Sequence, residues 1–260
     1  MKFAGIIAEY DPFHNGHAWQ LAQAKALGAE RVAVAMSCSL VQRGALPLLP
    51  EAVRTRSALT CGADLVFALP APCACAGAEA FARAGVALLA AAGCDGLVFG
   101  AETPDAALLM EAAELLDSDS YRAALKAQLA GGARSFAAAR QTAAAKLASD
   151  ERVAALLDKP NNNLAVEYCR AIRSLAPRME AYPLPRQGAN HGEALHSAHG
   201  QFASASALRK LWAEGGADAV APYVPEAVFP LYQEAYAAGQ YTDFSAAGRC
   251  ELALLRARCT

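Results

Sequence analysis

Four short apolar runs, each set off by turn formers and followed by a helical pattern, constrain this chain more than any other feature. They are Phe3–Ala8 (FAGIIA), Arg31–Met36 (RVAVAM), Asp64–Leu69 (DLVFAL) and Gly96–Phe99 (GLVF). His17–Leu27, Glu51–Cys61 and Ala78–Ala92 read as the intervening helices. Continuous apolar runs suit parallel strands buried on both faces, and right-handed crossovers place the helices on the sheet. The expected fold class is therefore α/β, an open, doubly wound parallel sheet.

Beyond Pro104 the pattern changes to alanine-rich helices at Ala106–Leu116, Tyr121–Leu129 and Phe136–Leu147, with a Gly131-Gly132 break. These read as a helical insertion at about residues 104–158. A helix at Leu164–Leu175, a last strand at Met179–Pro183 and a polar loop through Gly200 follow. Ser204–Trp212 reads as a capped helix, followed by a Pro-rich turn at Ala221–Pro230 and a final helical stretch. The expected division is an α/β domain over residues 1–215, insertion included, and a helical C-terminal segment over 216–260 as the start of a second domain.

Composition narrows the function classes. Of the 260 residues 55% are hydrophobic, weighted to alanine, yet no uninterrupted apolar run reaches the roughly 18 residues of a membrane helix. Only six apolar or small residues separate Lys2 from Glu9, too few for a signal-peptide core, so a cytoplasmic protein with no membrane partner is expected. The eight cysteines show no Cys-x-x-Cys and read as free thiols, Cys73-x-Cys75 being a weak metal signal at most. A formal net charge of −2 argues against a strongly basic, nonspecific nucleic-acid binder, although a local stripe of Lys and Arg can still hold RNA.

The chemistry concentrates where the first strand ends, in Glu9-Tyr-Asp-Pro-Phe-His-Asn-Gly-His17. Asp11, Pro12 and Asn15 are turn formers, and the helix that follows starts with backbone N–H groups lacking intrahelical partners. Helix starts bind phosphate through those groups and the helix dipole. His14 and His17, three residues apart, can donate to phosphoryl oxygens from one face, and Gly16 lets a ribose or base approach the backbone. A zinc site is the competing reading, but two histidines alone lack the further ligands a closed site needs.

Other polar clusters fall at strand and loop ends. Gln42-Arg43-Gly44 offers an Arg for phosphate or carboxylate, or a solvated surface residue, and Glu79 reads as structural. Gly100, in Phe99-Gly-Ala-Glu102, permits close approach of a base or forms a plain turn. Asn161-Asn-Asn163 supplies a helix N-cap with amides to spare for a ligand at Asn161 or Asn162. Arg186 opens a polar loop suited to phosphate or RNA, and Ser204, Ser206 and Arg209 can face one anion at a helix start.

Taken together, His14-Asn-Gly-His17 and the late Ser204-x-Ser206-x-x-Arg209 resemble the nucleotidyltransferase superfamily. More narrowly, the chain resembles the tRNA(Met) cytidine acetate ligase family. The matching residues are Glu9–His17, Met36-Ser37, Val41–Gly44, Asp64–Val66, Leu69-Pro70, Phe99–Glu102, Pro160–Asn162 with Leu164, Arg186 with Gly188-Ala189, and Ser204-x-Ser206. It departs from the family pattern at Asp11, usually Asn, at Ser37–Leu40 and at Glu51–Arg56. The resemblance implies a Rossmann-like nucleotidyltransferase fold and an enzyme that activates acetate with ATP. Acetyl-adenylate then acetylates the wobble cytidine of elongator tRNA(Met).

It also implies ATP contacts from Ile7, Ala8, Glu9, Tyr10, Asp11, Pro12, Phe13, His14, Asn15, Gly16, His17, Gln20, Gly100, Asn161, Arg186, Ser204 and Ser206. His14 and His17 are the implied catalytic pair, with Mg2+ sharing the phosphate charge and no metal held by the protein itself. The alternatives are another nucleotidyltransferase that adenylylates a small phosphorylated metabolite, or a nucleotide-binding relative with reduced catalysis.

Overall fold

A computed structural model of the chain describes residues 1–185, 195–197, 200–248 and 250. Five strands form one sheet: β1 (Phe3–Ala8), β2 (Arg31–Ser37), β3 (Leu65–Leu69), β4 (Gly96–Ala101) and β5 (Glu180–Pro185). Their order is β3-β2-β1-β4-β5. β1 and β4 run parallel with Ala4 opposite Gly96, and β4 and β5 run parallel from Gly96–Glu180 to Ala101–Pro185. The sequence order reverses between β1 and β4, and open α/β sheets bind ligands beyond the carboxyl ends of the strands at such a reversal.

Eleven α-helices are described: α1 (Asn15–Ala26), α2 (Glu51–Thr60), α3 (Ala71–Ala74), α4 (Ala78–Ala91), α5 (Ala106–Asp117), α6 (Asp119–Ala130), α7 (Phe136–Leu147), α8 (Glu151–Leu156), α9 (Pro160–Leu175), α10 (Ala205–Ala219) and α11 (Phe229–Ala237). The chain divides into two compact units. One contains Met1–Ala8, Gln23–Ala35 and the described residues from Ala76 to residue 185; the other contains Glu9–Ala22, Met36–Cys75 and the described residues beyond 186.

In the first unit α4 lies close against β1 because glycines face each other's neighbours. A Cβ on Gly5 would come 2.8 Å from Leu89, and one on Gly85 would come 2.5 Å from Ile7. Helices α5 to α8 start where their caps dictate: Asp105, Ser118, Ser135 and Asp150 each accept a backbone N–H from the following turn. α9 buries Ala165, Val166, Tyr168, Cys169, Ala171 and Ile172 along one stripe. Glu167, on the same helix, is nearly enclosed and bonds Arg140 at 2.6 Å and Arg170 at 2.7 Å. Arg170 also reaches Asp117 at 2.8 Å and Glu79 at 3.6 Å, and Glu79 lies in the first turn of α4.

In the second unit Trp212 of α10 and Tyr232 of α11 are buried edge to face, 6.0 Å apart. The expected polar loop through Gly200 contains a feature the sequence did not reveal, a short antiparallel pair β6 (Leu195–Ser197) and β7 (Gly200–Phe202). Three-residue strands are too short to print an alternation. α8, six residues long, and α3, four residues long, escaped for the same reason. The seven described cysteines are unpaired. Among the described residues no helix is long and apolar enough to cross a membrane.

Candidate active site

Leaving β1 at Ala8, the chain makes a tight polar turn before α1. Tyr10 sits at φ 50°, the left-handed region that bulky residues rarely enter, and Asp11–Pro12 is a cis peptide bond. Tyr10 and Phe13 are buried, which holds that backbone in place, and both rings pack on His17, with centroids 4.8 and 5.6 Å away. Any contact they make with a ligand therefore runs through their backbone or through His17. Pro12 is buried beside them, and Asn15 bonds the Pro222 carbonyl at 3.2 Å.

The two histidines form one unit. His14 precedes α1 and is its N-cap residue, where a helix beginning at His17 was expected; the His14 carbonyl accepts from His17 N at 2.9 Å and Ala18 N at 3.1 Å. Their rings are stacked with centroids 3.8 Å apart and planes 22° from parallel. Gly16 N donates to His14 Nδ1 at 3.0 Å, and His14 N donates to His17 Nδ1 at 3.3 Å. An accepting ring nitrogen carries no hydrogen, so in the neutral rings each proton resides on Nε2. Gly16 has a reason of its own, since a Cβ there would meet His14 Cε1 at 2.9 Å. The ring that approaches its backbone is His14's imidazole. Gln20 lies one turn further along α1, half-buried.

Beneath the turn lies Arg54 of α2, fully buried. Its guanidinium donates to the carbonyls of Leu49 at 3.0 Å, Glu9 at 2.7 Å, Ser37 at 2.6 Å and Cys38. Burial pulls its pKa below the ordinary arginine value, against the fields of Asp11, Cys38, Glu51 and Glu9. Glu9 in turn accepts the Gln42 N–H at 2.7 Å, which fastens the Gln42-Arg43-Gly44 loop to the turn. Sequence reasoning missed Arg54. The available signal was its position among Val53, Ser57 and Ala58 on the buried face of α2.

Asp11 is also enclosed, its side chain 2% exposed. Oδ1 accepts Leu48 N at 2.6 Å and Oδ2 accepts Arg209 Nη1 at 3.1 Å. Arg209, one turn into α10, also holds the Asp11 carbonyl at 2.6 Å and Ser206 Oγ at 3.2 Å. Burial lowers the Arg209 pKa below its ordinary value although Asp11 raises it. Ser204 caps α10 by accepting Ala207 N at 3.2 Å, and Ser206 is exposed.

The remaining expected residues belong to the first unit. Ile7 and Ala8 end β1 half-buried, and Gly100 is exposed with open space where a Cβ would stand. The asparagines are more engaged than expected. Glu102 Oε1 accepts Asn161 Nδ2 at 2.6 Å and Asn161 N at 3.2 Å, and Oε2 accepts Asn162 N at 2.7 Å. Asn162 adds Thr103 N at 2.9 Å and Thr103 Oγ1 at 3.2 Å, while Asn163 bonds the Leu157 carbonyl at 2.8 Å. The cap of α9 is thus Glu102 from the bend after β4, where an Asn N-cap was expected; the N-cap residue itself is Lys159. Burial works against the Glu102 charge, but the asparagine donors outweigh it and hold the carboxyl below the usual range. Arg186 lies outside the described residues.

A parallel sheet whose first strand runs through His-x-Gly-His into a helix start defines a nucleotidyl transferase, and the chain belongs to the HIGH nucleotidyl transferase family, whose sequence model matches residues 1–255. It is 41% identical over 218 residues to the tRNA(Met) cytidine acetate ligase of Syntrophotalea carbinolica, covering 83% of this chain and 52% of that protein. It is 35% identical over 244 residues to the tRNA(Met) cytidine acetate ligase of Caldanaerobacter subterraneus, covering 92% of this chain and 60% of that one. A crystal structure of Thermotoga maritima TmcAL bound with alpha-thio ATP matches with a TM-score of 0.83 and 30% identity, over 93% of this chain and 57% of that chain. The chain spans 52% and 60% of the length of the two curated relatives.

Proposed function

We propose that the chain binds ATP at the start of α1, activates acetate as acetyl-adenylate, and delivers the acetyl group to the wobble cytidine of tRNA(Met). The observation that carries this reading is the stacked histidine pair, whose Nδ1 atoms accept backbone N–H groups. That arrangement leaves Nε2 as the proton-bearing atom of both rings, two donors preset at the N-terminus of a helix. The names of the relatives support tRNA(Met) as the acyl acceptor, and the alpha-thio ATP bound to the Thermotoga protein supports the nucleotide.

In the first step an acetate oxygen attacks the α-phosphorus and the bond to the β-bridging oxygen breaks, releasing pyrophosphate. The His14 and His17 Nε2–H groups stabilise the negative charge that develops on the phosphoryl oxygens, and no covalent enzyme intermediate is needed. In the second step the cytidine exocyclic amine attacks the acetyl carbonyl, AMP departs and a proton leaves the nitrogen. Ser204, Ser206 and the helix start of α10 form the second polar element that the reading assigns to the phosphates. Gly100, Asn161 and Arg186 are assigned to the nucleotide on the same reading.

Magnesium does not fit a protein cage at this site. No group of three His, Cys, Asp or Glu side chains stands ready for a metal among the described residues, and the Asp11 oxygens and Glu9 Oε1 already accept protein donors. A magnesium ion carried on the ATP phosphates is part of the substrate.

The test is pyrophosphate exchange into ATP with and without acetate, followed by incubation with unmodified tRNA(Met) and a search for acetylated cytidine. Exchange that depends on acetate supports the reading, as does its loss in His17→Ala with the thermal melt retained. Exchange indifferent to acetate, with turnover on a phosphorylated metabolite, overturns it.

A further inference from the structure

Arg209 presents an apparent contradiction. It lies beside Ser206 near the start of α10, where a cation serves an incoming anion, yet its guanidinium is turned onto the carboxylate and carbonyl of Asp11. Asp11 is itself fixed from the other side by Leu48 N–H, so the carboxylate cannot follow Arg209 outward without leaving a buried N–H unpaired. The pair is shielded, with side chains 15% and 2% exposed, so its field is only weakly screened by solvent.

We infer that Asp11 sets the affinity for polyphosphate by withholding the Arg209 charge. With both groups present the local net charge from the pair is zero, and a triphosphate entering between the His14–His17 stack and the α10 start has to compete with Asp11 for Arg209. This inference rests on the proposed nucleotide reading and names the residue that tunes it. An uncharged residue at position 11 releases one positive charge to the phosphates, which raises affinity and slows release of pyrophosphate. Asp11 is thus a positioning and specificity-determining residue that favours turnover over tight binding.

Calorimetric titration of the full chain with ATP, inorganic tripolyphosphate and adenosine separates charge from fold. Asp11→Asn keeps an oxygen for Leu48 N–H and is expected to bind ATP and tripolyphosphate about tenfold more tightly, with adenosine unchanged. Arg209→Met should bind the two polyphosphates more weakly. The double variant, neutral like the natural pair, should return to near the natural affinity. Asp11→Ser is the second neutral variant where Asp11→Asn fails a thermal melt. Unchanged or weakened tripolyphosphate binding in Asp11→Asn, or in Asp11→Ser where that is the variant used, overturns the inference, as does a double variant as weak as Arg209→Met. If the natural chain binds no ATP, the nucleotide reading itself has failed, and that result is distinct from either.

Discussion

Arg54 Nη1 donates to the carbonyl of Glu9 at 2.7 Å, from a side chain with no solvent exposure at all. A buried guanidinium that bonds four carbonyls is a strut: it ties the end of β1 to the end of β2 and to the residues entering α2. Removing it leaves buried carbonyls without donors. Arg54→Met is expected to lose about 3–5 kcal/mol of unfolding free energy. Arg54→Lys keeps the charge but not the fork, and should lose about 2 kcal/mol. Urea unfolding checks both, and a lysine variant as stable as the natural chain would show that the fork is dispensable.

Gly16→Ala tests the histidine stack without touching a histidine. The added methyl would press on the His14 ring at 2.9 Å, and that ring is pinned by Gly16 N on one side and His17 on the other. The ring must leave its place. Because alanine is the better helix former, global stability should stay within about 1 kcal/mol. Acetate-dependent pyrophosphate exchange should fall about a hundredfold, the magnitude of losing one aimed donor. Exchange at the natural rate would remove the stack from the mechanism.

These two residues also mark what sequence can and cannot announce. Four of the five sheet strands were legible as apolar runs bounded by turn formers, the last as a short segment after a helix, and no edge moved by more than two residues. The turn holding His14 and His17 was legible because its turn formers and its spacing are local to the end of β1. The bonds that Arg54, Asp11 and Glu102 make were not read because, the Leu49 carbonyl beside Arg54 apart, their partners lie 16 to 198 positions away. Periodicity reports on neighbours along one element. A carboxylate that caps a helix 59 residues later leaves no local trace. The asparagine amides show the same limit: their bonds to Glu102, Thr103 and the Leu157 carbonyl are made outside the Asn161–Asn163 run and leave no trace in it.

Tyr232→Phe isolates one long-range support of the turn. Tyr232 Oη donates to the Phe13 carbonyl at 2.6 Å, and both residues are fully buried. Deleting the hydroxyl leaves the ring packed against Trp212 and strands that carbonyl. The expected cost is about 1–2 kcal/mol, read as a lower urea midpoint at unchanged slope. A midpoint that does not move would place the donor to Phe13 elsewhere.

Glu102 makes stability depend on pH in a way that can be assigned. Its carboxyl is held below its ordinary value of 4.5; burial alone would raise it, but the Asn161 and Asn162 donors prevail. A depressed carboxylate contributes stability that is fully present above the ordinary value and is lost as pH falls through the folded one. Cooling of the melt should therefore begin below about pH 4.5. Asp95 contributes in the same direction, its carboxyl held low, against burial, by the backbone N–H groups of Lys2 and Phe3. Glu102→Gln removes the first share alone. It should melt lower than the natural chain at pH 7 and show a smaller further drop between pH 5 and pH 3, because the amide has no proton to take up. Parallel thermal scans across that interval check the sign. If the two chains lose melting temperature in equal measure, the charge of Glu102 is not what holds the start of α9.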